Sequence, residues 1–159
     1  NILKEVVDYF VIVEATHTFV GKEKQMYFDK DKYSYLGDKI IYIVVDDMPY
    51  KYPNVNYENK EQWKNENFQR NCISRGLNKL NLEPEDIIII TDLDEIPDPK
   101  TLNLIKNNNI KIDAGCLEMD LYYYNLNTKL INKWTSGKIL NYISGILFFW
   151  NIVFSRMLK

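Results

Sequence analysis

The sequence predicts an α/β layered domain with a mainly parallel sheet flanked by helices. Three observations carry that expectation. Residues 6–13, 40–45 and 87–90 are apolar runs of strand length, and they are continuous instead of alternating. Strands buried on both faces read this way, and they are usually parallel strands covered by helices. Between the runs lie segments with helical periodicity, so the order along the chain is β, short α, β, α, β, α, β, an alternation that builds layered α/β domains.

Each element has a local reason. Val6-Val7-Asp8-Tyr9-Phe10-Val11-Ile12-Val13 is rich in β-branched and aromatic residues and ends at the polar turn Glu14-Ala15-Thr16-His17. Residues 29–36 read as a short helix. Ile40-Ile41-Tyr42-Ile43-Val44-Val45 is the second strand and ends at Asp46-Asp47-Met48-Pro49. Trp63, Phe68, Cys72, Ile73, Gly76, Leu77 and Leu80 approximate a 3.6-residue stripe, which predicts a helix over 61–80. Ile87–Ile90 is the third strand. Asp98-Pro99 starts the next helix, with Asp as N-cap and Pro at the first helical position, and that helix ends in Asn107-Asn108-Asn109. Residues 114–124 alternate, with Cys116, Glu118, Asp120 and Tyr122 on one face of an expected strand.

Composition narrows the class. With 14% aromatic residues, the chain is expected to fold. A net charge of −2 provides no basic footprint, so a nucleic-acid partner is not expected. Asn, Ile, Lys and Tyr are all abundant, and all four can have AT-rich codons, so this bias reports genome composition more than function. Cys72 and Cys116 are far apart with no Cys or His at metal-ligand spacing, which predicts two buried free thiols in place of a zinc site. Residues 1–14, interrupted by Lys4, Glu5 and Asp8, read as a lead-in to a strand and not as a signal peptide. At the other end residues 139–155 carry no charge. Such a run is a buried core segment or, at the lower limit of length, a membrane-span candidate. The division expected from this is a domain over 1–136 and an apolar segment over 137–159.

In an open α/β sheet, ligands bind outside the carboxyl ends of the strands. Glu14, Asp46-Asp47 and Asp92-Leu93-Asp94-Glu95 all fall at such ends. The last is the sharpest signal. Four isoleucines lead into Thr91-Asp92-Leu93-Asp94-Glu95-Ile96-Pro97, and alternate residues at a strand end project to the same side, so Asp92 and Asp94 are expected to converge. Two carboxylates held together repel, and a divalent cation relieves the repulsion. Mg²⁺ or Mn²⁺ commonly binds through one or two carboxylates while gripping substrate phosphates. A solvated acidic turn before a helix is the bland alternative. His17, the sole histidine, reads as a surface residue, and Arg70 and Arg75 read as solvated or helix-pairing side chains, although an arginine also suits a diphosphate.

These residues resemble glycosyltransferase family 17. The resemblance rests on ordered blocks over residues 6–125: Asp8-Tyr9-Phe10-Val11-Ile12-Val13-Glu14-Ala15-Thr16, Gly21-Lys22, Trp63 with Asn65-Glu66, Gln69-Arg70-Asn71, Arg75-Gly76-Leu77, Pro84-Glu85-Asp86 and Ile90-Thr91-Asp92-Leu93-Asp94-Glu95-Ile96-Pro97. It implies a GT-A-like fold, a UDP-N-acetylglucosamine donor, a glycan or glycoprotein acceptor containing mannose, and inverting transfer. It also implies that Asp92 and Asp94 hold Mn²⁺ or Mg²⁺ and the donor diphosphate, with Glu14 and Asp46 at the nucleotide. Family members carry an additional strand and helix ahead of the block at 6–14 and extend well beyond residue 124, so the domain is expected to be incomplete at both ends. Residues 137–159 find no counterpart. A Golgi membrane location with an N-terminal anchor follows for full-length members, and residues 1–14 supply no anchor.

Inverting transfer needs a general base for the acceptor hydroxyl. Glu118 and Asp120, on the strand after the D-x-D, are the weak candidates. Two other readings stay open at this point: a non-catalytic remnant that keeps only the donor-binding half, and a D-x-D phosphatase with Asp92 as nucleophile.

Overall fold

The first and second apolar runs lie side by side. In a computed structural model describing residues 2–145 of the chain, β1 (Phe10–Ala15) and β2 (Ile40–Val45) pair in parallel from Phe10↔Ile40 to Ala15↔Val45. Thr16 N–H extends the pairing to Val45 O at 2.9 Å. β1 begins four residues later than the hydrophobic run. The carbonyl of Val7 accepts from the Lys39 ammonium at 2.8 Å, outside the ladder. The chain divides into two units, Val7–Asn81 and Asn1–Val6 with Leu82–Lys159, and each is described on its own.

In the unit Val7–Asn81, the expected helix over 61–80 is two helices, α1 (Glu61–Asn71) and α2 (Ile73–Leu77), meeting at Cys72. The core consists of Ala15, Ile43, Val45, Met48 and Cys72, with Val11, Val13, Ile41 and Phe68 packed against it. The buried stripe of α1 differs from the hydrophobic one. Trp63 is 57% exposed, whereas Asn65 is fully buried. A polar residue takes that place because three backbone groups need it: Asn65 Nδ2 donates to Phe19 O (2.9 Å) and Tyr50 O (2.8 Å), and Oδ1 accepts from Tyr50 N–H (3.1 Å). Leaving such buried groups unpaired costs about 1–3 kcal/mol each. Gly76 brings α2 against the strands; a Cβ there would fall on Val11 Cγ1 and 3.3 Å from Ile43 Cγ1. The short helix expected over 29–36 is a 3-10 segment, Ser34–Lys39, broken at Gly37. Asp29 competes with helix formation ahead of it, its Oδ1 accepting from Asp31 N–H and Lys32 N–H.

In the second unit, β3 (Ile87–Ile90), β4 (Ala114–Cys116) and β7 (Lys138–Asn141) form a sheet in the order β3-β7-β4, antiparallel throughout. β5 (Met119–Tyr122) and β6 (Lys129–Trp134) form a separate antiparallel hairpin. Its core is Val6, Ile88, Ile90, Leu102, Ile139 and Leu140. α3 (Pro99–Asn107) starts as its sequence indicates, with Asp98 Oδ2 accepting from Thr101 N–H at 3.0 Å.

Four expectations change. Among the described residues only β1 and β2 are parallel, so the sheet is not mainly parallel. The all-isoleucine β3 takes an antiparallel neighbour supplied by the apolar stretch after Lys138, which continuous hydrophobicity did not distinguish from a parallel one. Residues 114–124 are two strands, because Leu117 N–H turns to Gly137 O (2.8 Å) and ends the first. The division at 136/137 falls immediately before β7, which is hydrogen-bonded between β3 and β4, so both sides of it belong to one sheet. Cys72 is buried, but Cys116 is exposed, 3.4 Å from the Lys138 ammonium. Within the membrane-span candidate 139–155, residues up to Asn141 are β-strand; residues 146–155 lie outside the described residues. Among the described residues no helix is long and apolar enough to cross a membrane.

Candidate functional site

β3 ends at Ile90, ahead of the acidic cluster. Asp92 and Asp94 therefore come from a turn and not from alternate positions of a strand. The turn is closed twice across the same two residues: Glu95 N–H donates to Asp92 O at 3.1 Å, and Asp92 N–H donates to Glu95 Oε2 at 2.9 Å. Leu93, between the two aspartates, is fully exposed. Asp92 and Asp94 are exposed as well, while Glu95 is half-buried. The other carboxylate oxygen of Glu95 accepts from the indole N–H of Trp134 on β6. Pro97 is buried and Asp98-Pro99 opens α3, which ends the turn on its far side.

The hairpin β5–β6 stands beside this turn. A Cβ on Gly137 would lie 3.1 Å from Met119 Cε and 3.3 Å from Thr91 Cγ2, so Met119 of the hairpin and Thr91, which precedes Asp92, both border Gly137. The two base candidates fare differently. Asp120 accepts from Lys129 at 2.7 Å and from Lys133 at 2.6 Å, one lysine on each oxygen. Those bonds hold its carboxyl below the usual carboxylate range, which makes it a poorer proton acceptor. Glu118 is exposed, between β4 and β5, and is not on one strand face with Asp120.

Could these residues hold Mn²⁺ or Mg²⁺? Among the described residues, no group of three or more His, Cys, Asp or Glu side chains forms a ready-made metal cage. Two exposed carboxylates on one closed turn suit an ion that keeps waters and takes its remaining ligands from phosphate. The donor set fits such a group.

The other unit holds Glu14 and Asp46. Glu14 closes β1, and four donors meet its two oxygens: Lys24 Nζ (2.9 Å) and Tyr27 N–H (2.7 Å) on Oε1, Phe28 N–H (3.1 Å) and Tyr42 OH (2.8 Å) on Oε2. Burial raises its pKa, but these hydrogen bonds outweigh that and leave it at about 2 against an ordinary 4.5. Tyr42 is pushed up to about 12 by burial and by the carboxylate it donates to. Glu14 thus fastens the 24–28 loop to the strand pair.

Asp46 is exposed after β2, its carbonyl accepting from Lys51 Nζ at 3.2 Å. Its neighbour Asp47 forms a two-bond fork with Arg75 (2.9 and 2.7 Å), which lowers the Asp47 carboxyl and commits the Arg75 guanidinium. Arg70 lies 3.6 Å from Glu66 one turn away. Past the carboxyl ends of β1 and β2 a cavity of about 310 Å³ is lined by His17, Gly21, Lys22, Glu23, Lys51 and Tyr52. Gly21 has φ 77, and its carbonyl accepts from Tyr52 N–H at 3.0 Å. A Cβ there would be 2.5 Å from that nitrogen, so only glycine lets the two loops meet.

The sequence assigned no individual role to Glu95, Trp134, Tyr42 or Asn65, although Glu95 stood in the acidic cluster and Asn65 in a block of the family resemblance. For Glu95 a signal was available: an acidic side chain three residues after an aspartate can cap that residue's N–H, as in a capping box. For Trp134 and Tyr42 nothing local distinguished them from core aromatics.

With two carboxylates on a closed turn after a buried strand, the comparison with known proteins is direct: residues 1–147 match glycosyltransferase family 17, and the chain belongs to that family. The match runs past the expected boundary at 136 and beyond the blocks over 6–125. Three relatives are β-1,4-mannosyl-glycoprotein 4-β-N-acetylglucosaminyltransferases. The human one is 31% identical over 101 residues, covering 60% of this chain and 18% of the relative. The rat protein gives the same values, and the mouse protein is 30% identical over the same span. The match thus spans less than a fifth of the length of these relatives. No solved structure matches the chain.

Proposed function

We propose that the chain carries the donor side of a metal-dependent N-acetylglucosaminyltransferase with a GT-A-like fold, using UDP-N-acetylglucosamine and passing the sugar with inversion to a mannose-containing glycan. The observation that supports this most directly is the Asp92–Asp94 turn, found within the family match and built from two exposed carboxylates. Mn²⁺ or Mg²⁺ bound there would neutralise the charge that grows on the departing diphosphate. Asp92 and Asp94 would hold the ion, and the bonds between Asp92 and Glu95 already order the backbone that carries them. Glu14 serves the donor by holding the 24–28 loop, since its own oxygens are engaged. Asp46 is exposed at the end of β2, as a carboxylate that accepts from a sugar or ribose hydroxyl must be. Glu118 is the better of the two base candidates, because the lysines on Asp120 lower its basicity.

The test is calorimetric titration of UDP in the presence and absence of Mn²⁺. UDP is expected to bind with Mn²⁺, and Asp94→Ala is expected to weaken that binding at least about 100-fold, the loss of a metal-held phosphate site. Binding that ignores both Mn²⁺ and Asp94→Ala would end this reading.

A second reading, donor binding without turnover, draws on the engagement of both Asp120 oxygens. Transfer or hydrolysis of UDP-N-acetylglucosamine, abolished by Asp94→Ala, would remove it.

A further inference from the structure

We infer that Glu95 is the positioning residue of the D-x-D turn and that Trp134 holds Glu95 in place. This deepens the proposed function, since it rests on Asp92 and Asp94 holding a divalent cation.

The two aspartates sit on a turn that has no strand ladder, because β3 stops at Ile90. Something other than the sheet must hold this turn in one backbone conformation. Glu95 does so from both ends of its own residue. Its backbone N–H donates to Asp92 O, and its side chain accepts from Asp92 N–H, so Asp92 to Glu95 is a closed ring. One oxygen of Glu95 is used there, and the other accepts from the Trp134 indole N–H.

That second bond matters because every residue of β6 is exposed, and Trp134 itself is 40% exposed. An indole out in solvent has no need of a protein partner to satisfy its N–H. The bond therefore serves the carboxylate, holding Glu95 in the conformation that reaches Asp92. With both oxygens engaged, Glu95 faces the backbone and the hairpin, so it acts on the turn and not as a ligand. Partners that orient ligands in this way typically contribute about 10–100-fold to metal affinity.

The experiment measures free Mn²⁺ by electron paramagnetic resonance as the wild-type chain, E95A, E95Q, W134F and D94A are titrated, with circular dichroism confirming that each variant is folded. In parallel, the Trp134 indole N–H is followed in ¹H–¹⁵N spectra during Mg²⁺ titration and identified by its loss in W134F. E95A is expected to weaken Mn²⁺ binding roughly 10-fold. E95Q should recover part of that loss, because its amide oxygen can still accept from one donor. W134F should show a smaller loss than E95A, and the indole resonance should shift on Mg²⁺ addition in wild type but not in E95A. Wild-type binding unchanged in E95A overturns the positioning role while leaving the D-x-D reading intact. An E95A loss as complete as that of D94A makes Glu95 a direct metal ligand and overturns it too. A wild-type chain that takes up no Mn²⁺ refutes the D-x-D reading, and this inference with it.

Discussion

Glu14 shows how much one side chain can carry. Its two oxygens accept four hydrogen bonds from residues spread between 24 and 42, and its pKa is held near 2. The folded value lies below the unfolded one, so its stabilisation is complete above pH about 4.5 and is lost as pH falls through about 4.5 to 2. A depression of that size corresponds to about 3 kcal/mol. Glu14→Gln removes the charge and replaces one of the two accepting oxygens with an NH₂ group that faces donors, so only the remaining amide oxygen can accept. Urea unfolding is therefore expected to show the variant less stable by roughly 2–3 kcal/mol at pH 7, with the difference shrinking steadily below pH 4.5. A constant difference from pH 7 to pH 2.5 would show that the carboxylate charge is not what holds the loop. The residue was legible as an acidic group at a strand end. Its partners were not: Tyr27 and Phe28 reach it through a loop whose path no local pattern specifies, and Tyr42 through the pairing of β2 with β1.

Among elements, α2 shows close approach setting a sequence choice. Gly76 lies where a Cβ would overlap Val11 and press on Ile43, at the contact of the helix with β1 and β2. Intrinsic propensity favours alanine over glycine in a helix by about 1 kcal/mol. Overpacking costs about 1–3 kcal/mol and here has the larger claim, because the obstructing atoms are branched core side chains. Gly76→Ala is thus expected to lower the melting temperature, by several degrees for a chain of this size. A variant melting at or above wild type would mean that Val11 yields. The Arg75–Asp47 fork beside it is more than a third exposed on both partners, so its contribution is small. The exposure of Trp63 has a polar origin: α1 buries Asn65 to satisfy the loops around Phe19 and Tyr50, and that need outweighs the apolar stripe.

For the molecule as a whole, stability is distributed unevenly. β1, β2 and the end of α1 share a core through Ala15, Ile43, Val45, Cys72 and Phe68, whereas every residue of β6 is exposed. Amide hydrogen exchange is expected to be slowest across β1 and β2 and fast in β6 at the edge of its hairpin; equal protection in both would contradict this arrangement. The sequence by itself determined the places of β1 and β2, the start of α3 at Asp98-Pro99 and the acidic cluster after Ile90, because each follows from neighbours a few residues apart: β-branched runs, a helix cap and the polar residues that end a strand. The ordered blocks also pointed to the family that the match confirms. Only the tertiary structure decided the antiparallel β3-β7-β4 sheet, the saturation of Glu14, the lysine clamp on Asp120, and the tie from Trp134 through Glu95 to Asp92. Strand direction and hydrogen-bond partners between distant residues are set by how loops close and which buried groups must be paired. Neither leaves a period or a spacing in the chain.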